Sequence, residues 1–198
     1  MKNFKYLILV FIFCIQGRAL GQDYFLSSSL GTSGLQSGST QVVSFMGARY
    51  FDVSFFRVGG GARFTNWQRQ SELDINPIYK LSKISVSALN LFILTEADIL
   101  SDLILGFNID AFGASFGDDV DLIGSSVKAK PVSTNILLGG KPDRGSLNSE
   151  FYIAYKYFNF RLAAGLSHQV TEYEATDVSA GKLQRFFDTG FLRIDYFL

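Results

Sequence analysis

The residues best suited to nucleophilic chemistry lie close together near the C-terminus. His168 is the only histidine of the chain, and Ser167, Glu172 and Glu174 accompany it between positions 167 and 174. Serine, histidine and a carboxylate are the groups that activate a hydroxyl for acyl transfer. Neighbouring residues of a strand point to opposite faces, however, so His168 cannot easily activate Ser167. Ser167, His168 and Glu172 are therefore weak catalytic candidates, and we expect a protein that is not an enzyme.

Three other features resemble binding or anchoring motifs. Asp118, Asp119 and Asp121 are weak candidates for a divalent metal, because hard cations prefer carboxylate oxygens, but the spacing is not that of a calcium loop. The Gly59–Gly61 triplet has neither the following helix nor the Lys-Ser/Thr pair of a phosphate loop, so close backbone packing or a bulge explains it better. Trp67 is expected to anchor the chain at a membrane interface. We expect no cofactor and no metal.

Charged residues recur on the polar faces of several predicted strands. If these faces line a closed interior, the charges either pair across a narrow lumen or line a channel. A barrel of eight strands has an interior that side chains fill, so a plugged lumen is the prediction and a pore is the alternative. The predicted lumen residues are Arg57, Arg63, Asp110, Glu150, Lys156, Arg161, Arg193 and Asp195.

The elements that must position these residues are β-strands, because apolar and polar residues alternate with period 2 along much of the chain. The clearest runs are 102–113, 146–156 and 158–167, the last two joined at Tyr157-Phe158-Asn159. The chain ends within another alternating run, 191–198, a typical ending of membrane barrels. Weaker strands are predicted at 24–32, 41–48, 53–64 and 83–94, the last with a bulge near Leu89-Asn90.

The links between these runs are short on one side and long on the other. Short links fall near 49–52, 95–100 and 157–159, and long ones near 33–39, 65–80, 114–144 and 171–183. All three prolines lie in the long links, where no ladder hydrogen bond is lost. This asymmetry predicts an all-β, transmembrane, antiparallel up-and-down barrel with short periplasmic turns and long outer loops. Eight strands are predicted, and ten are the alternative if 132–140 also pairs.

The first 21 residues have the layout of a secretory signal. Lys2 and Lys5 precede an apolar run at 6–15, and Ala19-Leu20-Gly21 precedes a cleavage before Gln22. A lipoprotein signal with Cys14 is the alternative. The predicted domains are thus a signal at 1–21 and a barrel at 22–198. Removing Lys2, Lys5 and Arg18 from the 18 basic residues leaves 15 against 18 acidic ones, which is no basic surface for nucleic acid.

The strands of a soluble β-domain also alternate apolar and polar residues, so the composition of the polar faces decides between the two folds. A soluble sandwich carries long, varied charges wherever strands meet water. Here the polar faces are mostly Asn, Gly, Ala and Ser with a balanced set of charges, which suits a narrow lumen. The apolar faces are rich in aromatic residues near the turns (Tyr155, Phe158, Phe160 and Tyr196), as in interface girdles. A soluble, lipocalin-like periplasmic lipid binder is the alternative.

Several stretches resemble the small outer-membrane β-barrel proteins of the Bacteroidota. They are 105–110 with 112–117, 135–140 with 145–151, and 164–167 with 171–173. The architecture is similar, at the level of the fold alone, to the OmpA-like and OmpX-like eight-stranded proteins. The resemblance implies the Gram-negative outer membrane as the location and carries no activity.

The expected function is that of a structural or interaction barrel, porin-like in architecture and without a catalytic site. Loops 65–80 and 114–144 are the predicted recognition surfaces. The expected partners are outer-membrane lipid or lipopolysaccharide, the barrel-assembly machinery through the C-terminal strand, and an unknown protein. The alternative function is a barrel enzyme, an acyl hydrolase or transferase, that modifies lipid A.

Overall fold

A computed structural model describes residues 23–33, 40–53, 56–69, 73–74, 80–81, 84–123, 127–137, 145–175 and 182–198 of the chain. The predicted signal at 1–21 lies outside these residues. Within them, no helix is long and apolar enough to cross a membrane.

The described chain forms thirteen β-strands. Eight are long: β1 (Asp23–Ser33), β2 (Thr40–Val53), β3 (Phe56–Arg69), β6 (Ile84–Asp98), β7 (Leu103–Gly117), β11 (Leu147–Tyr157), β12 (Phe160–Ala175) and β13 (Lys182–Phe197). Five are short: β4 (Leu73–Asp74), β5 (Lys80–Leu81), β8 (Val120–Ile123), β9 (Lys128–Pro131) and β10 (Thr134–Ile136).

The eight long strands close into one barrel. Each pairs antiparallel with the next long strand along the chain. The barrel closes because β1 also pairs with β13, from Phe25 opposite Phe197 to Thr32 opposite Gly190. Closure gives every wall strand a partner on both sides and so removes the open edges that invite aggregation. The predicted eight-stranded, antiparallel, all-β barrel is confirmed.

The alternative of ten strands is wrong, because the barrel closes with eight wall strands and residues 132–137, the described part of 132–140, add none. Among the described residues, β10 pairs with β7 over only three residues, Thr134 to Ile136. It lies beyond the end of β11 on the same side of β7. The neighbouring β9 similarly pairs with the far end of β12. The long connection after β7 therefore extends the wall upward rather than widening the barrel.

The two ends of the barrel differ as predicted. Three short connections, β2 to β3, β6 to β7 and β11 to β12, lie at one end, which we call the turn end. The longer connections lie at the opposite end, the loop end. At the turn end Phe158 adopts a φ of 53°, a left-handed conformation that favours glycine, and its ring is 78% exposed. The turn thus places an aromatic side chain at the rim, in edge contact with Tyr157.

Some predicted boundaries are wrong. The link placed at 49–52 lies inside β2, which continues to Val53. The aromatic and charged residues there suggested a turn, but Arg49 instead lies over the rings of Tyr24 and Phe51 on the outer wall. The bulge predicted at Leu89-Asn90 falls two residues later, between Leu91 and Phe92.

The distribution of side chains in the barrel is the inverse of that in a soluble protein, with apolar residues outside and charged residues inside. Every wall strand exposes a large apolar side chain on its outer face. One from each is Leu30, Phe45, Val58, Leu91, Phe112, Phe151, Leu166 and Leu192. The inner face buries charged residues instead, and Arg63, Asp110, Arg161 and Asp195 are all fully buried.

The interior also holds two apolar clusters. The inner cluster comprises Phe25, Met46, Ala48, Tyr50, Phe92, Leu94, Ile104, Tyr152, Ala154, Ala163 and Phe191. The outer cluster, at the loop end, comprises Val42, Trp67, Ile84, Val86, Ala88, Val120, Ala129, Tyr173, Ala175, Leu183 and Phe187. The predicted interface role of Trp67 is wrong, because this side chain points inward and is 2% exposed. The lumen therefore contains buried apolar side chains as well as charges.

Candidate functional site

The centre of the lumen is organised by Arg63 of β3. Its guanidinium lies 2.5 Å from Asp110 of β7 and 2.8 Å from Glu150 of β11. It also donates hydrogen bonds to the side-chain oxygen of Asn108 and the backbone oxygen of Asn148. Two carboxylates and two neutral oxygens around one guanidinium satisfy most of its donors, which is the condition for burying a charge without a large penalty.

The ion pairs continue from Glu150 toward the turn end. Arg193 of β13 lies 3.1 Å from Glu150 and 3.0 Å from Asp195. Asp195 in turn lies 2.5 Å from Arg161 of β12, which lies 2.6 Å from Glu96 of β6. Each of these side chains is at most 2% exposed. The charges therefore alternate in sign along the lumen.

The last member is Arg57 of β3, near the turn end. Its Nε lies 3.5 Å from Glu96, and its other nitrogen pairs with the partly exposed Asp98. The chain of ion pairs thus runs without a break from Arg57 to Asp110 and involves six wall strands. We call these eight residues the lumen network: Arg57, Arg63, Glu96, Asp110, Glu150, Arg161, Arg193 and Asp195.

The structure brings together seven of the eight predicted lumen residues. The exception is Lys156, which is half-buried at the turn end with its ammonium 5.0 Å from the centre of the Phe197 ring. Glu96 was missed, although it lies on the same face as Asn90 and Leu94 and strand parity would have found it. It was missed because this strand was predicted to end at 94 and 95–100 to form a short link, whereas β6 continues to Asp98.

Amides carry the polar network on toward the loop end. Asn90 donates to Asp110 at 2.7 Å and accepts from Asn135 of β10 at 2.6 Å. Asn135 also accepts hydrogen bonds from Ser115 and from the backbone of Ser146. These contacts tie the short strand β10 to the barrel interior. The loop-end segment that carries β10 is therefore anchored to the wall by side chains as well as by backbone pairing.

Aromatic rings fill the space beside the charges. The Tyr152 hydroxyl donates to Glu96 at 2.6 Å, and the Arg193 guanidinium lies 3.9 Å above the Tyr152 ring. This ring occupies space that Gly106 leaves open, because a Cβ on Gly106 would lie 2.2 Å from it. Arg161 similarly lies 4.9 Å from the centre of the Phe25 ring. Planar stacking of arginine on aromatic rings adds attraction and excludes water from the ion pairs.

The outer cluster lies at the loop end of the interior. Trp67 and Tyr173 are each 2% exposed, and Ala129 of β9 is fully buried against them in this cluster. Within the described residues, Trp67 Nε1 and the Tyr173 hydroxyl have no hydrogen-bond partner. Burial raises the pKa of the Tyr173 hydroxyl above its usual range. The loop end therefore holds a cluster of buried, mostly apolar side chains above the lumen network.

The weak catalytic candidates are separated by the barrel wall. Ser167 points into the lumen, is 3% exposed and donates to Asn148 at 2.6 Å. His168 points outward, where its Nδ1 lies 2.5 Å from an oxygen of Asp188. Glu172 is buried and accepts hydrogen bonds from the backbone of Gly145 and the side chain of Gln184. The three residues do not form one site, as their strand parity indicated.

The acidic and glycine motifs also have structural positions. Asp118 and Asp119 are exposed between β7 and β8, and Asp121 of β8 is paired with Lys128 of β9. The described residues contain no group of three or more His, Cys, Asp or Glu that could hold a metal ion. The Gly59–Gly61 triplet lies inside β3, whose pairing with β2 and β6 is uninterrupted. The triplet therefore permits close strand packing and forms no bulge.

Comparisons with known proteins add little to this description. No family model matches the chain, and no curated protein matches it. Among solved structures, it is similar to the crystal structure of Neisserial surface protein A. The identity is 14%, the TM-score is 0.46, and the match covers 89% of this chain and 97% of that chain. These values are too low to support an inference about the fold or the function of this chain. The strand pairing of the chain itself establishes the fold as an eight-stranded antiparallel barrel.

Proposed function

We propose that this chain is an integral outer-membrane β-barrel protein with a closed lumen and a structural or interaction role. The observation that carries the proposal is the inversion of the barrel, with exposed apolar side chains outside and the lumen network inside. Exposed apolar surface on this scale marks a surface that water does not contact. A soluble lipid binder would need the opposite arrangement.

The height of the apolar belt supports the same proposal. On β13 the belt extends from Asp188, an exposed acid at its upper edge, down through Leu192 and Ile194 to Leu198. For a rise of about 3.4 Å per residue and a tilt of about 40°, this stretch spans roughly 26 Å along the barrel axis. Membrane barrels have an apolar band of about 25 Å flanked by aromatic girdles. The turn end has such a girdle, which includes Tyr155, Phe158 and Tyr196.

The loop end supports an interaction role. The described part of the segment after β7 contains β8, β9 and β10, and backbone hydrogen bonds join it to Ser115 and Glu172 of the wall. A rigid scaffold that displays an ordered loop is a common arrangement for recognition. We propose this surface for contacts with lipopolysaccharide or a protein partner, and the last strand for recognition by the assembly machinery. The resemblance to Bacteroidota barrels and the predicted signal at 1–21 support export to the outer membrane.

Membrane insertion is tested by a pair of charge substitutions on the outer face of β2. Phe45→Arg places a charge in the belt, where arginine costs about 2–4 kcal/mol near the midplane. Gln41→Arg places it on the same face but nearer the loop end, where the cost is about 0–1 kcal/mol. We expect the wild-type chain and Gln41→Arg in the membrane fraction with heat-modifiable gel mobility, and Phe45→Arg depleted there. Recovery of the wild-type chain in the soluble periplasmic fraction would overturn the proposal.

A closed lumen predicts the absence of ion conduction. The lumen network and the two apolar clusters together occupy the interior from the turn end to the loop end. In planar bilayers the purified barrel should therefore give no stable single-channel current. A reproducible current that disappeared on boiling the sample would show that the lumen is a pore.

A further inference from the structure

Three polar residues form a row across the outer wall at the upper edge of the apolar belt. Ser149 of β11 is paired with His168 of β12, and His168 is paired with Asp188 of β13. All three have the parity of the outward face. His168 Nδ1 lies 2.5 Å from Asp188, and the two side chains are 55% and 77% exposed. The barrel thus presents a serine, a histidine and a carboxylate side by side on its outer surface.

The histidine of this row is held in a defined orientation. Its ring stacks on Phe186 at a centroid distance of 5.5 Å and an interplanar angle of 20°. The contact between Nδ1 and Asp188 assigns the neutral-ring proton to Nδ1 and leaves Nε2 as an acceptor. In a serine hydrolase triad, a carboxylate orients the histidine in this way.

The serine lies on the other side of the histidine. The Ser149 hydroxyl donates to the backbone oxygen of His168 at 3.4 Å. Directly paired residues have Cβ atoms about 4.5–5.5 Å apart, so rotation about χ1 of Ser149 brings its hydroxyl toward the imidazole. Hydrogen bonds between nucleophile and base are often long before substrate binds. Ser149, and not Ser167, is therefore the serine that His168 can activate.

We propose that Ser149, His168 and Asp188 form an outward-facing site that hydrolyses ester-linked acyl chains of membrane lipids. Ser149 Oγ attacks the ester carbonyl carbon, and its proton passes to His168 Nε2. The ester C–O bond then breaks, and the lipid alcohol leaves with that proton. Water, deprotonated by the same imidazole, attacks the acyl-serine and releases the fatty acid, and the proton returns to Ser149. Asp188 is a positioning residue, because it acts through the imidazole.

The position of the row in the barrel wall indicates which class of substrate it would meet. This inference rests on the proposed membrane location, in which the row lies at the outer edge of the hydrocarbon region, where lipid esters also lie. Phe151, Leu166 and Phe186 surround the row with exposed apolar surface that suits an acyl chain. Ser28 provides a contrast on the same outer wall. It is exposed in the belt, but its paired neighbours are Phe45 and Ile194, which offer neither a base nor an acid.

The test is labelling of the full-length barrel in detergent micelles with a fluorophosphonate probe, followed by peptide mass spectrometry. We expect the probe on Ser149, no labelling of Ser149→Ala, and unchanged labelling of the matched control Ser28→Ala. His168→Ala should slow labelling about 100-fold, the usual contribution of a general base. Asp188→Asn should slow it as well, and Asp188→Glu should restore it in part, which a purely structural role of the ion pair would not produce.

Heat-modifiable mobility on gels identifies the variants that fold, and His168→Gln replaces any His168→Ala protein that does not. Labelling of Ser149 no faster than that of Ser28, or independent of His168, would overturn the site. Labelling in detergent micelles does not depend on insertion of the barrel into a membrane. Failure of the Ser149 site can therefore be distinguished from failure of the membrane proposal. Fatty-acid release from phospholipid vesicles containing the barrel tests the substrate, and labelling without release would overturn the lipid assignment.

Discussion

Arg63→Met should destabilise the barrel by about 3–5 kcal/mol, the usual cost of removing one partner from a buried ion pair. Methionine preserves most of the side-chain length but leaves Asp110 and Glu150 without the guanidinium that lies 2.5 Å and 2.8 Å from them. Both acids are at most 2% exposed, so water cannot replace the lost contacts. Urea unfolding of the barrel in detergent micelles, followed by the gel shift between folded and unfolded bands, measures the change.

Two variants show whether the loss comes from uncompensated charge. Lys156→Met removes a cation at the half-buried turn end, outside the lumen network, and should change stability by less than about 1 kcal/mol. Asp110→Asn in the Arg63→Met background removes the carboxylate that loses its guanidinium, whereas Glu150 keeps its contact with Arg193, and it should recover part of the loss. Equal destabilisation by Arg63→Met and Lys156→Met would show that the lumen network does not contribute as described.

Strand parity predicted seven of the eight members of the lumen network, all but Glu96, but not which of them pair. Arg57, Arg63 and Glu150 were assigned to the inner face from alternation alone, because one face of each strand was apolar and the other was polar. Pairing depends on which strands face one another across the barrel and at what height. Arg193 meets Glu150 on a strand that is not its neighbour. A linear pattern does not contain that information.

Two of the errors, the positions of Trp67 and of the stretch 49–52, arise from aromatic residues. In a membrane barrel, these residues lie at the interface girdles, in the interior and on the lipid-facing wall, so their identity does not determine their environment. Trp67 was placed at the interface and lies in the outer cluster, and the aromatic stretch 49–52 was taken as a turn. The row of Ser149, His168 and Asp188 was missed for a different reason. Its members are 19 and 20 residues apart in sequence and meet only through the register of β11, β12 and β13.

Gly61→Val, in the glycine triplet of β3, should lower the free energy of unfolding by more than about 3 kcal/mol. This value is at the upper end of the cost of overpacking. A Cβ on Gly61 would lie 2.0 Å from the backbone oxygen of Gly47 and 2.8 Å from Cα of Ala48. These are backbone atoms of β2, so the clash cannot be relieved by a side-chain rotation. The strands must separate, which weakens the hydrogen bonds around the Ala48–Gly61 pair.

Gly190→Val is the matched control, because this glycine lies in β13 on the outer face and a Cβ there meets nothing within 4 Å. Valine has a higher strand propensity than glycine and adds apolar surface to the belt, so the control should be neutral or slightly stabilising. Both variants are compared by the same urea titration and gel shift. If Gly61→Val unfolded at the wild-type urea concentration, β2 and β3 would not pack as closely as the structure shows. If Gly190→Val were equally damaging, the loss would follow from replacing glycine in a strand and not from contact with β2.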